Sequence, residues 1–107
     1  MMSAFDHFDL LLNNAIDEEL GKYGNFNRAL VYQYLEKKYG VTARDISSNI
    51  VRFEDSIHEL YGIGYDYVIK SIMRNLFGIL RIRFEENDKW RMTDYIKLAR
   101  ALSKTPE

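Results

Sequence analysis

The chain has 107 residues, a net charge of −1 and no cysteine. This length suits one domain with a single hydrophobic core. The lack of cysteine excludes disulfides, thiol catalysis and thiolate metal ligands. No apolar run reaches the roughly 18 residues that a membrane helix needs, and the N-terminal stretch MMSAFDHFDLL has no basic segment typical of a signal peptide. We therefore predict one cytoplasmic domain over residues 1–107.

Apolar residues three or four positions apart predict two N-terminal helices. The first covers residues 4–22 and ends at Gly21 and Gly24. The second begins at Asn25, a good N-cap residue, and ends at Gly40 in the left-handed conformation, with Val41 folding back as its apolar partner. The apolar face predicted for this second helix comprises Phe26, Leu30, Val31, Tyr34 and Leu35.

The middle of the chain predicts a short helical turn and two more long helices. Thr42 and Asp45 have the spacing of a capping box, which opens a helical turn over residues 43–47. A third helix is predicted over 50–61 and is closed by Gly62. The fourth, over 65–77, is apolar around so much of its circumference that we expect it to be the central, most buried helix.

After Gly78 the apolar period changes from that of a helix to two. Leu80, Ile82 and Phe84 alternate with charged residues, which predicts a small hairpin over 80–92. The alternative is that the fourth helix continues, because Leu80 and Phe84 also extend its four-residue spacing. Thr93 is the predicted cap of a C-terminal helix. The predicted fold is mainly α: a compact orthogonal bundle of four main helices plus a C-terminal helix, with a core at 5–78 and a basic extension at 79–107.

The segment Gly62-Ile63-Gly64 raises the question of a phosphate site. A dinucleotide loop requires a third glycine where Tyr67 stands, and it follows a strand. We interpret the segment as a junction between helices instead: Gly62 supplies a positive φ, Ile63 locks the cap, and Gly64 lets the next helix start close to its neighbour. We predict no bound cofactor.

Metal and catalytic constellations are also missing from the sequence. His7 and His58 are the only histidines, and His58-Glu59 lacks the second histidine of a zinc helix. Glu54, Asp55 and Glu59 are interpreted as a solvated acidic face. Ser47 and Ser48 are explained as capping residues, and the pair Glu85-Glu86 has no sign of the burial that a general acid needs. We predict no metal site and no enzymatic activity.

The charge distribution supports an alternative hypothesis, a winged helix-turn-helix regulator that binds DNA. Residues 1–60 have a net charge of −4 and residues 61–107 one of +3. The third helix would be the recognition helix and the hairpin would be the wing. The acidic residues of the third helix weaken this hypothesis because they repel phosphate. Its predicted contacts are Arg44, Arg52, Arg81, Arg83, Lys89 and Arg91.

Tyrosines cluster around the glycine junction. Tyr61, Tyr65 and Tyr67 are explained either as the edge of the core, with their hydroxyls in water, or as a docking surface, because tyrosine is enriched at protein interfaces. They are the candidate interaction surface for a protein partner or for a homodimer.

The run NRALVYQYLEKKYGVTARDISSNIVRFEDSIHELYGIGYDYVIKSIM resembles the Nitrosopumilus output domain of the fifth type. The resemblance lies in the stretches 35–41, 45–46, 52–55 and 60–64 and covers roughly residues 5–78. It implies a small helical module, found mainly in archaea and associated with signalling proteins, with no catalytic residue to transfer. The sequence therefore favours a non-enzymatic regulatory or protein-interaction module, a stand-alone signalling output domain of unknown activity.

Overall fold

The computed structural model describes residues 6–103. Its helices in chain order are α1 (His7–Gly21), α2 (Asn25–Tyr39), α3 (Ile50–Tyr61), α4 (Tyr65–Leu80) and α5 (Met92–Leu102), with 3-10 turns at Ala43–Ser48 and Gly62–Gly64. No residue within 6–103 lies in a strand. The domain is thus mainly helical, as predicted, whereas the orthogonal crossing of its helices stays a prediction. Residues 4–5 of the first predicted helix and 104–107 of the basic extension lie outside the described range.

The helix ends follow local sequence signals, with small shifts. Asp6 and Asp9 form a capping box at the start of α1: the Asp9 amide donates to the Asp6 carboxylate at 3.0 Å, and the Asp6 amide donates to the Asp9 carboxylate at 3.2 Å. Gly40 ends α2 with φ 68°, and the amide of buried Val41 reaches back to the Leu35 carbonyl. Both features of the predicted end of α2 are confirmed.

Four predicted caps are wrong. Ser47 and Ser48 do not cap α3, because Asn49 precedes this helix and no side chain caps it. Asn25 is the first helical residue of α2 and Gly24 precedes it, so no side chain caps this helix. The Thr42 hydroxyl bonds the Asp45 carboxylate instead of a backbone amide. Helix α5 begins at Met92, one residue before Thr93, and its first turn is closed by the Asp94 carboxylate, which accepts from the Arg91 amide at 2.8 Å.

The core lies between α4 and the helices around it. Helix α4 contacts α1, α3 and α5, and its buried side chains include Ile72, Met73 and Leu76, which confirms the predicted central position. A radius of gyration of 13.5 Å matches the ~13 Å expected for a folded domain of this length. None of the helices in residues 6–103 is long and apolar enough to cross a membrane.

The segment after α4 differs from both sequence hypotheses. Gly78 lies inside α4, which continues to Leu80 and ends at Arg81 in the left-handed conformation, with φ 60°. The predicted hairpin is not confirmed, because residues 81–91 contain no strand, and the helix does not continue to Phe84. The alternating apolar residues are nevertheless the more buried ones in this segment. Ile82 and Phe84 are half-buried, and the centre of the Phe84 ring lies 5.3 Å from that of the Phe77 ring. The period of two thus reflects packing on helices, with no partner strand among the described residues.

Candidate interaction surfaces

A buried carboxylate in the N-terminal half of α3 joins three helices. Glu54 is 1% exposed. It accepts hydrogen bonds from the Tyr65 hydroxyl at 3.1 Å and the Met92 amide at 3.2 Å, and pairs with the Arg91 guanidinium at 3.3 Å. The predicted solvated acidic face is therefore wrong for Glu54, which acts as a cap for α5 supplied by another helix. A carboxylate at a helix N-terminus is also favoured by the helix dipole.

An open cleft of about 450 Å³ lies beside Glu54 and brings together three residues that the sequence analysis selected for different reasons. Tyr65, Lys89 and Arg91 line it with His58 and Trp90. The Tyr65 ring packs edge-on against His58 at 4.7 Å, and burial together with the charge of Glu54 raises the pKa of its hydroxyl. Tyr65 therefore forms part of the cleft wall, and its ring and its hydroxyl both make contacts within the domain.

The arginines of the DNA-binding hypothesis are mostly engaged with other groups of the chain. Arg91 is paired with Glu54 and lies 3.7 Å from the Asp55 carboxylate. Arg83 bonds Glu85 at 3.2 Å, and the Arg52 guanidinium stacks 5.3 Å from the centre of the Tyr39 ring.

The two other arginines of that hypothesis are exposed on separate elements. Arg44 lies in the turn before α3, and Arg81 follows α4. Arg91 and Arg83 both contact carboxylates, so two of the four basic residues in the segment expected to be the wing are paired within the chain.

A second surface lies at the end of the molecule where α3 meets α4 and where α2 begins. The Tyr61 hydroxyl donates to the Asn27 side chain at 2.7 Å, which ties the end of α3 to the start of α2. The Tyr23 ring lies 6.4 Å from that of Tyr61. Tyr67, one turn into α4, is 66% exposed. Tyr61 is thus part of the framework, whereas Tyr23 and Tyr67 face solvent.

Three large aliphatic or aromatic side chains extend this end of the molecule into solvent. Ile63 is fully exposed, Phe26 is 83% exposed and Leu30 is 44% exposed. Phe26 and Leu30 were expected to face the core, and Ile63 was expected to lock the cap of α3; all three expectations are wrong. We refer to Tyr23, Phe26, Leu30, Ile63 and Tyr67 together as the end surface.

The end surface borders an open hollow of about 420 Å³. Tyr23 and Tyr67 form its aromatic rim, and Arg74 lies on its lining. Inside it the buried Glu19 carboxylate holds Lys22 and the Asn75 amide, each at 2.8 Å. Partial burial raises the pKa of the Tyr23 hydroxyl above its ordinary value. The hollow therefore has a hydrogen-bonded floor, and its rim combines two tyrosines with the charged side chains of Lys22 and Arg74.

Of the end surface, only Tyr67 was predicted from the sequence to be a contact residue. One signal was present in α2. This helix buries only Val31 and Leu35, yet it also carries Phe26 and Leu30 on a different stripe. A helix that is apolar on two faces has more apolar surface than one core contact can cover.

Comparisons with known proteins add no relative. No protein-family model, no curated protein and no solved structure matches the chain significantly. Within residues 6–103, no group of three or more histidine, aspartate or glutamate side chains is arranged to hold a metal ion. The resemblance to the output domain stays a prediction.

Proposed function

We propose that this chain is a non-enzymatic protein-interaction module that binds its partner through the end surface. The observation that carries the proposal is the exposure of five large apolar side chains at one end of the domain. Burying a single side chain of this size in a complex is worth roughly 1.5–3 kcal/mol. Exposed apolar side chains grouped at one end of a soluble protein typically mark a contact site.

The family resemblance gives the proposal a context. All five residues of the end surface fall within the stretch 5–78 that resembles the signalling output domain. A cytoplasmic regulatory module whose output is a protein contact agrees with this resemblance and with the absence of cysteine. We do not extend the proposal to DNA binding, because Arg91 and Arg83 are paired with carboxylates.

Site-directed photo-cross-linking in cells that express the chain tests the proposal. A photoreactive residue replaces Ile63 or Phe26, and control copies carry it at Val51 or Leu102, which are exposed apolar residues outside the end surface. We expect discrete cross-linked products from positions 63 and 26 and none from the controls. Tyr67→Asp in the same chain should suppress these products. If neither position 63 nor position 26 forms a discrete cross-linked product, the proposed function is refuted.

A further inference from the structure

We propose that the partner of the end surface is a second copy of this chain, bound across a two-fold axis. This inference rests on the proposed function and names its partner. In a two-fold contact the same patch faces itself, so any charge at its centre meets a like charge. The five residues of the end surface carry no charge, and the two cations that line the hollow beside them are already paired within the chain, Lys22 with Glu19 and Arg74 with Glu86. The patch therefore meets the electrostatic condition for self-association.

The shape of this end of the molecule provides both halves of such a contact. Ile63 protrudes as a fully exposed knob between α3 and α4. The hollow rimmed by Tyr23 and Tyr67 lies at the same end, because Tyr67 stands in the first turn of α4, directly after the Gly62–Gly64 turn that carries Ile63. In a two-fold dimer each pairwise contact occurs twice, so Ile63 of each copy would insert between Tyr23 and Tyr67 of the other. The hollow, at about 420 Å³, is large enough for an isoleucine side chain.

The size of the patch is close to what a stable dimer needs. Large aromatic side chains present roughly 150–250 Å² each when free, and applying the lower part of this range to all five residues, scaled by their exposed fractions, gives about 600 Å². A typical specific interface buries about 800 Å² on each partner. The apolar patch supplies most of that area, and polar residues around it, such as Lys22 and Asp66, would supply the rim. Aromatic side chains at the centre of a patch are the usual energetic anchors of an interface.

Sedimentation equilibrium of the purified chain over a wide concentration range tests the inference. We expect a monomer–dimer equilibrium with no species beyond the dimer. Ile63→Asp and Phe26→Asp should each weaken dimerisation by about 30-fold or more, as expected for an interface anchor. Val51→Asp, which places the same charge at an exposed apolar site elsewhere, should leave it unchanged. Because Ile63 and Phe26 make no part of the core, circular dichroism should show these variants folded.

Photo-cross-linking of mixed isotopically heavy and light copies then identifies the contact. A photoreactive residue at position 63 should join heavy to light chains at the peptides that contain Tyr23 or Tyr67. A dimer that Ile63→Asp does not weaken would overturn the inference, because association would then use another surface.

A chain that stays monomeric would also overturn the dimer. If position 63 nevertheless forms a discrete product with a different protein in cells, the proposed function stands and only the identity of the partner was wrong. If it forms none, both fail.

Discussion

Glu54 gives the sharpest test of how this fold is held together. Glu54→Ala removes the acceptor for two groups at once, the Tyr65 hydroxyl and the Met92 amide. Leaving a buried donor without an acceptor costs about 1–3 kcal/mol, and Met92 is fully buried. The Arg91 guanidinium is 57% exposed and can turn to water, so loss of this ion pair adds little. We expect the free energy of unfolding to fall by about 3 kcal/mol.

Urea unfolding followed by circular dichroism measures this change. With a slope of about 1.5 kcal/mol per molar urea, the midpoint should fall by about 2 M. Glu54→Gln keeps one acceptor oxygen and should lose about half as much. Asp55→Ala is the matched control, because this neighbouring acid is 40% exposed and lies 3.7 Å from the same arginine. It should cost less than about 1 kcal/mol.

The expected order of stability is wild type, Asp55→Ala, Glu54→Gln and then Glu54→Ala. If Glu54→Ala unfolds within about 1 kcal/mol of Asp55→Ala, Glu54 is not the acceptor that anchors α5, and the argument from buried unsatisfied donors is refuted. Hydrogen exchange locates the effect: the amides of the first turn of α5 should lose protection before those of α4.

Four further substitutions test the backbone and the charge of a helix cap by the same unfolding assay. Gly62→Ala should lower the free energy of unfolding by about 1–3 kcal/mol, because Gly62 has φ 56° and ψ −123°. Gly64→Ala should leave the stability unchanged or raise it by up to about 1 kcal/mol, because Gly64 has φ −81° and an added Cβ would lie 4.0 Å from Tyr61. Equal losses at the two glycines would contradict this. Arg81→Gly should stabilise the fold by about 0.5–1 kcal/mol by relieving the left-handed conformation of an exposed arginine; a loss of stability would show that its side chain has a role of its own. A hydrogen bond from the Asp9 amide, aided by the charge of Arg100, lowers the pKa of Asp6 below its ordinary value of 3.8. The ionised Asp6 carboxylate therefore adds stability above pH 3.8, and this contribution is lost as the pH falls through the pKa that Asp6 has in the folded protein. The wild type should therefore exceed Asp6→Asn in stability near neutral pH and match it in strong acid, and a difference that persists in acid would contradict the assignment.

Local signals in the sequence predicted the helices well. The spacing of apolar residues located all five, and the bounds of α3 at 50–61 agree with the prediction. The end of α2 at Gly40 and the positive φ of Gly62 were also predictable, because both depend on the conformational freedom of glycine within a few residues. These features are local, and tertiary packing does not override them.

Features that depend on distant parts of the chain were not predicted. The side chain of Glu54 belongs to an acidic run on α3, and only the position of α5, about 38 residues later, makes it buried. The segment after α4 alternates as a strand does, but its apolar residues pack against Phe77 and Tyr95 of two helices. An alternating pattern reports one covered side of the chain and does not say what covers it.

The end surface was only partly predicted, because an apolar pattern does not show what covers each side chain. Apolar periodicity marks every side chain that avoids water, whether its cover comes from the same chain or from a partner. Phe26 and Leu30 fit the helical pattern as well as Val31 and Leu35, yet the fold covers only the second pair. Ile63 was assigned to a cap because an apolar residue after a helix-ending glycine usually folds back. The fold leaves this side chain fully exposed, and the proposed dimer would cover it.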